Sequence, residues 1–352
     1  MIDSVEFKTF INKRTSTFTI ATGSSSSEEN VIVKVIAGDE FGIGNANPTD
    51  VTKETVKSIE DFLSKVPKKI AGTDECEPER LHERLDSIAE GNTAAKAAVD
   101  IAIFDLLAKR DRQPLWKFLG GERDKMLTDM TIGIASKETT VERAIKHTRS
   151  GFKALKIKVG LDIAEDIKRV AAVRDSVGEK IELRVDANQG YSVDQAIKFC
   201  EEMNALGVVV VEQPVKADDY KGLKKVTEAS DVPIMADECV RSVLDARKVA
   251  REGIADMINI KLMKSAGICD AIMINRLAEA ADMKTMVGCM GEIQVSIAAG
   301  LHFALSSANV LFADLDSHFN IVDDPSSGLV FEDGYLITPK GNGLGIKTPF
   351  DE

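Results

Sequence analysis

The 352-residue chain has no apolar run long enough to cross a bilayer. Its opening residues, MIDSVEFKTF, mix acids and bases where a secretory leader needs an apolar stretch, so neither export nor a membrane partner is expected. Cysteine is sparse. Cys76, Cys200, Cys239, Cys269 and Cys289 are scattered, odd in number and never in CxxC spacing. A disulfide framework or a zinc site is therefore not expected, and a reducing cytoplasm fits. Positive charge is in deficit, with 45 Lys and Arg against 57 Asp and Glu and a net charge of -12. That balance argues against a nucleic-acid partner, although a local cation or metal can still reverse the sign inside a pocket. The chain also lacks a P-loop, a nucleophile elbow and a basic patch interleaved with aromatics. Gly341-Asn342-Gly343-Leu344-Gly345 has no helix after it and is not a dinucleotide fingerprint. His302 sits in an apolar helical stretch and reads as a packed residue, while nothing assigns a role to His318.

The hydrophobic share of 44% and charged share of 29% are ordinary for a soluble globular protein. The length suits one large barrel plus a smaller module. Residues 1–120 read as an α+β module, with strands predicted at 5–10, 17–22 and 31–36 and a flexible Gly/Ser connection at 23–27. Helices are predicted over 52–66, 78–90 and the Ala-rich 93–109, the last capped by Asn92. From residue 130 the rhythm changes. Short apolar runs recur at 130–134, 154–159, 181–185, 208–211, 233–236, 257–260, 284–287 and 309–313, separated by amphipathic stretches such as 164–177, 193–206 and 242–252. This repeat predicts an α/β chain built as a (β/α) barrel over residues 121–325. No strong helix follows the eighth strand, and the Gly- and Pro-containing tail, 326–352, is expected to return to the first module.

In such a barrel the chemistry lies at the C-terminal ends of the strands. Strand two ends in Lys156-Ile157-Lys158, three in Asp186-Ala187-Asn188, four in Glu212-Gln213-Pro214, five in Asp237-Glu238 and six in Lys261. Asp186, Glu212 and Asp237 end consecutive strands about 4.8 Å apart. Any one acid could simply cap a turn. Three in step with the repeat would repel unless a cation sits among them, and hard oxygen ligands favour Mg²⁺. Lys156 and Lys158 share one strand face. Lys261 lies four strands away, diametrically opposite, and strand position favours it over Lys264. Two amines flanking a chelated anion suit removing a proton from one face of a carbon and returning one to the other. Lys156 is expected to help: ammonium groups about 7 Å apart repel by roughly 2.4 kcal/mol at an effective dielectric of about 20, on the order of 1.7 pKa units. Asp314 and Asp316 also share a face, and away from a metal such a pair could bind a cationic substrate group.

At these motifs, with Arg184-Val185-Asp186-Ala187-Asn188 and Asn259-Ile260-Lys261, the chain resembles the muconate-lactonizing-enzyme subgroup of the enolase superfamily, which uses a Lys or His base with Mg²⁺. The resemblance spans essentially the whole chain. It implies a (β/α)7β TIM-like barrel with an N-terminal α+β capping domain completed by the C-terminal tail. Gly288-Cys289-Met290 and Asp314-Leu315-Asp316 are similar to dipeptide epimerases. The resemblance then implies a dipeptide whose ammonium meets Asp314 and Asp316 while its carboxylate meets one Mg²⁺. Lys158 and Lys261 would exchange the α-proton of the C-terminal residue, and Thr131, Asn188, Cys289 and Met290 would also contact substrate. Residues 23–27 would form the capping loop over it, and a homo-oligomer is compatible with all of this. Ala-Glu epimerases carry an arginine where Gly23 stands, so a neutral or hydrophobic dipeptide is expected. Rival reactions are N-acylamino acid racemisation, o-succinylbenzoate synthesis and cycloisomerisation, whose substrates have no ammonium to gain from the acid pair. A catalytically silent metal-binding barrel is the alternative of another class.

Overall fold

The computed structural model of the chain describes residues 1–73 and 77–351; Cys76 lies outside them. Strands β1 (Ser4–Ile20), β2 (Gly23–Ala37) and β3 (Glu40–Ala46) form an antiparallel sheet in sequence order. The 23–27 segment, expected to be a flexible loop, is instead the start of β2. It pairs with the end of β1 through Ile20–Gly23, Thr19–Ser24 and Phe18–Ser25 across a turn at Ala21 and Thr22. Cross-strand Ser/Thr pairing explains the difference: Thr19 Oγ1 and Ser24 Oγ lie 2.9 Å apart. This hairpin docks on the barrel, where the Ile134 amide donates to the Thr19 carbonyl at 2.8 Å.

Helices α1 (Val56–Leu63), α2 (Val66–Ile70), α3 (Pro78–Asp86), α4 (Thr93–Arg110) and α5 (Leu115–Phe118) follow. The Ala-rich α4 is buried over nearly its whole length because β3 lies directly on it. Gly42 and Gly44 permit that approach; a Cβ on Gly44 would stand 1.9 Å from the Ala98 carbonyl oxygen. Asn92 occupies the cap position in the left-handed region but makes no side-chain cap bond. The Glu54 carboxylate supplies it instead, accepting from the amides of Ala94 (2.8 Å) and Ala95 (3.2 Å).

A short strand, β4 (Lys125–Leu127), precedes the parallel strands β5 (Met130–Ile132), β6 (Ala154–Lys158), β7 (Glu182–Asp186), β8 (Val208–Glu212), β9 (Ile234–Ala236), β10 (Met257–Ile260), β11 (Lys284–Gly288) and β12 (Val310–Asp314). Neighbours in space are neighbours in sequence, and an isolated bridge between Thr128 and Ala313 joins the two ends into a ring. Seven helices alternate with the strands: α6 (Lys137–Arg149), α7 (Ile163–Val177), α8 (Val193–Ala205), α9 (Tyr220–Ala229), α10 (Val243–Glu252), α11 (Ile268–Glu279) and α12 (Gln294–Leu305). The fold is a (β/α)7β barrel, and a 3-10 turn, Ser317–Asn320, stands directly after β12 where an eighth helix would. The last strands, β13 (Val330–Glu332) and β14 (Tyr335–Ile337), form an antiparallel pair, and β14 pairs in turn with β4. Gly343 then exchanges backbone bonds with Gln113 and Leu115, which returns the tail to the first module. His302 is packed as expected, accepting from the Trp116 amide at 3.0 Å. Among the described residues no helix is long and apolar enough to cross a membrane.

Candidate active site

Parallel pairing sets the site. In register, Lys158 stands beside Asp186 and Asp186 beside Glu212, and Asp237 follows the last residue of β9. Alternation turns Lys156 and Lys158 inward while Leu155 and Ile157 join the hydrophobic core. Oxygen atoms of Asp186, Glu212 and Asp237 come within 4.8 Å of one another.

Two lysines flank this group from different acids. Lys158 Nζ lies 2.6 Å from Asp186 Oδ2, and Lys261 Nζ lies 2.8 Å from Asp237 Oδ2. Their strands, β6 and β10, are four positions apart in the ring. Lys156 is fixed more deeply by three carboxylates: Glu212 at 2.6 Å, Asp314 at 2.8 Å and Asp186 at 3.1 Å. Lys264, the neighbour weighed against Lys261, approaches Asp237 from behind and donates to the carbonyls of Asp237 (2.6 Å) and Asn259 (3.2 Å).

Carboxylates dominate the electrostatics of Lys261 and Lys156. Burial draws the Lys261 pKa down, but Asp237 and Glu212 outweigh it and leave it above the ordinary lysine value. Repulsion from Lys156 is present and smaller than these attractions. Lys156 behaves likewise, held a cation against burial by Asp314, Glu212 and Asp186. The reason is proximity, because each ammonium touches a carboxylate.

At the seam between β5 and β12 lies a second group. The Thr131 amide donates to Asp316 Oδ2 at 2.6 Å, and Thr131 Oγ1 donates to Asp314 Oδ1 at 3.2 Å. Cys289 Sγ lies 3.7 Å from Asp316 Oδ1. Burial, followed by repulsion from Asp314, pushes the Asp316 carboxyl up to about 6. Asn188 is tied to Glu238, donating to Oε1 at 3.1 Å. Met290 faces the capping module, its sulfur accepting from Thr49 at 3.2 Å. Two buried acids escaped assignment from sequence although they adjoin the motifs. Glu238 is raised to about 6 and Glu292 to about 8, in both cases chiefly by burial. Their signal was position alone: Glu238 closes the strand-five ending and Glu292 stands two residues after Met290.

The donors suit a hard divalent cation. All three central acids offer oxygen, and Glu212 Oε2, though 2.6 Å from Lys156, has no hydrogen bond of good geometry. Burial and then repulsion from Asp186 push the Glu212 carboxyl up to about 8. Among the described residues, Asp186, Glu212, Asp237, Glu238, Glu292, Asp314 and Asp316 are buried at or just beyond the strand ends, as are Lys156, Lys158, Lys261 and Lys264. This negative surplus favours a bound cation.

Residues 4–120 match the mandelate racemase / muconate lactonizing enzyme N-terminal domain, and residues 139–351 match the enolase C-terminal domain-like family. The chain belongs to the mandelate racemase / muconate lactonizing enzyme family. Among curated members of that family it is similar to a hydrophobic dipeptide epimerase of Enterococcus faecalis, 37% identical over 94% of both chains. It is also similar to an L-Ala-D/L-Glu epimerase of Bacillus subtilis, 41% identical over 90% of this chain and 89% of the relative. Among solved family structures, the substrate-liganded Bacillus subtilis epimerase superposes with a TM-score of 0.96 at 38% identity, covering 99% of each chain. The Enterococcus faecalis epimerase, complexed with Mg and L-Leu-L-Tyr, superposes with a TM-score of 0.95 at 37% identity, covering 98% of this chain and 99% of that one.

Proposed function

We propose that this chain is a Mg²⁺-dependent dipeptide epimerase that inverts the α-carbon of the dipeptide's C-terminal residue by two-base proton transfer. The observation that carries the reading is the placement of Lys158 and Lys261 on strands four apart, each against a different acid of one carboxylate cluster. Asp186, Glu212 and Asp237 hold the ion. When bound, it supplies fixed positive charge to the substrate carboxylate as the α-proton departs. Lys158 takes or returns the proton on one face and Lys261 on the other. Lys156, locked by three carboxylates, is a fixed charge rather than a base. Asp314 and Asp316 hold the N-terminal ammonium, and this pair favours dipeptides over the ammonium-free substrates of N-acylamino acid racemisation, o-succinylbenzoate synthesis and cycloisomerisation.

The substrate side chains are neutral or hydrophobic. Gly23 offers no cation at the hairpin tip, and Arg14 is spent on Glu28 (2.6 Å) and the Phe18 ring. The reading agrees with the hydrophobic dipeptide epimerase among the relatives.

A dipeptide library incubated with enzyme and Mg²⁺ in heavy water tests it. Deuterium is expected at the α-carbon of the C-terminal residue, with inversion, for neutral and hydrophobic dipeptides. Inversion that survives in both Lys158→Ala and Lys261→Ala sinks the two-lysine assignment, and strong selectivity for Ala-Glu sinks the side-chain reading.

A further inference from the structure

Asp166, Arg169 and Tyr191 belong to no part of the site described above, yet all three are buried. Asp166 lies in the first turn of α7, the helix that follows the Lys158 strand. Its Oδ2 accepts from the Gly160 amide (2.8 Å), the Leu161 amide (3.2 Å) and Tyr191 Oη (2.7 Å). Its Oδ1 pairs with Arg169. Arg169 in turn donates to the Lys158 carbonyl at 3.2 Å and to the Ala135 carbonyl at 3.3 Å. Tyr191 Oη also accepts from the Gly160 amide at 3.2 Å.

The loops on either side are pressed together backbone to backbone. A Cβ on Gly160 would stand 2.2 Å from the Ala187 carbonyl oxygen, and one on Gly190 would stand 2.1 Å from the Gly160 carbonyl oxygen. Gly160 has a φ of +107°, so the chain leaves Lys158 in a conformation that depends on glycine. The segment after Lys158 is thus gripped at its amides by one carboxylate, while a guanidinium bonds the Lys158 carbonyl. Lys261 is held differently. Its carbonyl accepts from the Lys264 amide (2.9 Å) and the Ser265 amide (3.1 Å) within a local turn.

We infer that Asp166, Arg169 and Tyr191 form a positioning network for Lys158, setting the base on one face of the substrate carbon independently of Lys261. This rests on the two-lysine reading above. Because the two bases serve opposite faces, loosening one anchor has a directional consequence that general destabilisation lacks. A base displaced by about 1 Å loses on the order of 100-fold in rate.

The test measures α-proton exchange in heavy water separately from each epimer of one dipeptide, with Lys158→Ala and Lys261→Ala defining which epimer reports which lysine. Arg169→Ala would strand Asp166 without its buried partner, so the variants are Tyr191→Phe, which deletes only a hydroxyl, and Arg169→Lys, which keeps the charge and loses the fork. Exchange from the Lys158 epimer is expected to fall on the order of 10–100-fold, with exchange from the Lys261 epimer and Mg²⁺ affinity within about twofold of wild type. Equal losses from both epimers, or no loss in either variant, overturn the inference. If Lys158→Ala is itself not selective for one epimer, the two-lysine reading falls and takes this one with it. If Lys158→Ala is selective and the network variants are not, only this one falls.

Discussion

Asn259 Nδ2 donates to Glu212 Oε1 at 2.8 Å, fixing one oxygen of that carboxylate and leaving Oε2 without a hydrogen bond. Asn259 is itself fully buried, so the carboxylate cannot swing without breaking a desolvated contact. Partners that orient a ligand contribute to metal affinity without touching the metal. Asn259→Ala is therefore expected to weaken Mg²⁺ binding by roughly 10–100-fold, read by isothermal titration calorimetry. An unchanged dissociation constant would show that Glu212 needs no such support.

The acid pair at the seam makes a prediction about substrate class. Asp316→Asn removes one charge while the Thr131 amide keeps an oxygen acceptor. Removing one partner of a buried charge pair costs about 2 kcal/mol or more, so kcat/KM for a free dipeptide should drop at least about 30-fold. The N-acetylated dipeptide, a poorer substrate of the wild type, should change far less. Equal losses on both substrates would mean that the pair does not read the ammonium.

Glu292 predicts a pH dependence. Burial raises its folded pKa from 4.5 to about 8, with Lys261 pulling the other way, and Oε1 has no hydrogen-bond partner among the described residues. A raised acid binds its proton more tightly in the fold, so its contribution is intact below pH 4.5 and is lost as pH rises towards 8. Glu292→Gln mimics the neutral form. Its Tm should match the wild type near pH 4.5 and exceed it by several degrees at pH 8, in calorimetric scans without metal. A constant difference across that range would contradict the buried-acid account.

Glu54 makes a prediction of stability alone. Losing a cap costs about 0.5–2 kcal/mol, and Glu54→Ala strips two buried amides of α4 of their acceptor. Tm should fall by roughly 2–4 °C per kcal/mol. A wild-type melting curve would mean that solvent reaches those amides.

The barrel is legible because each strand carries its own signal. The runs around Ala154–Lys158, Glu182–Asp186 and Val208–Glu212 are short, apolar and closed by charge, and their helices have unbroken amphipathic patterns. The capping module is less legible. Residues 23–27 have the composition of a loop and become strand by pairing with Phe18–Ile20 and Lys13, and the acceptor for α4 comes from Glu54, 40 residues before Ala94. Such long-range partners leave no local trace.

By itself the sequence determined which side chains end each barrel strand, since alternation and repeat length place Lys156, Lys158, Asp186 and Glu212 on inward faces before any packing is known. Only the tertiary structure decided their partners. Lys261 meets Asp237 from another strand at 2.8 Å, and Lys264 pairs with that same carboxylate. A Coulomb interaction depends on distance through space and on exclusion of water, and neither exists until the ring closes.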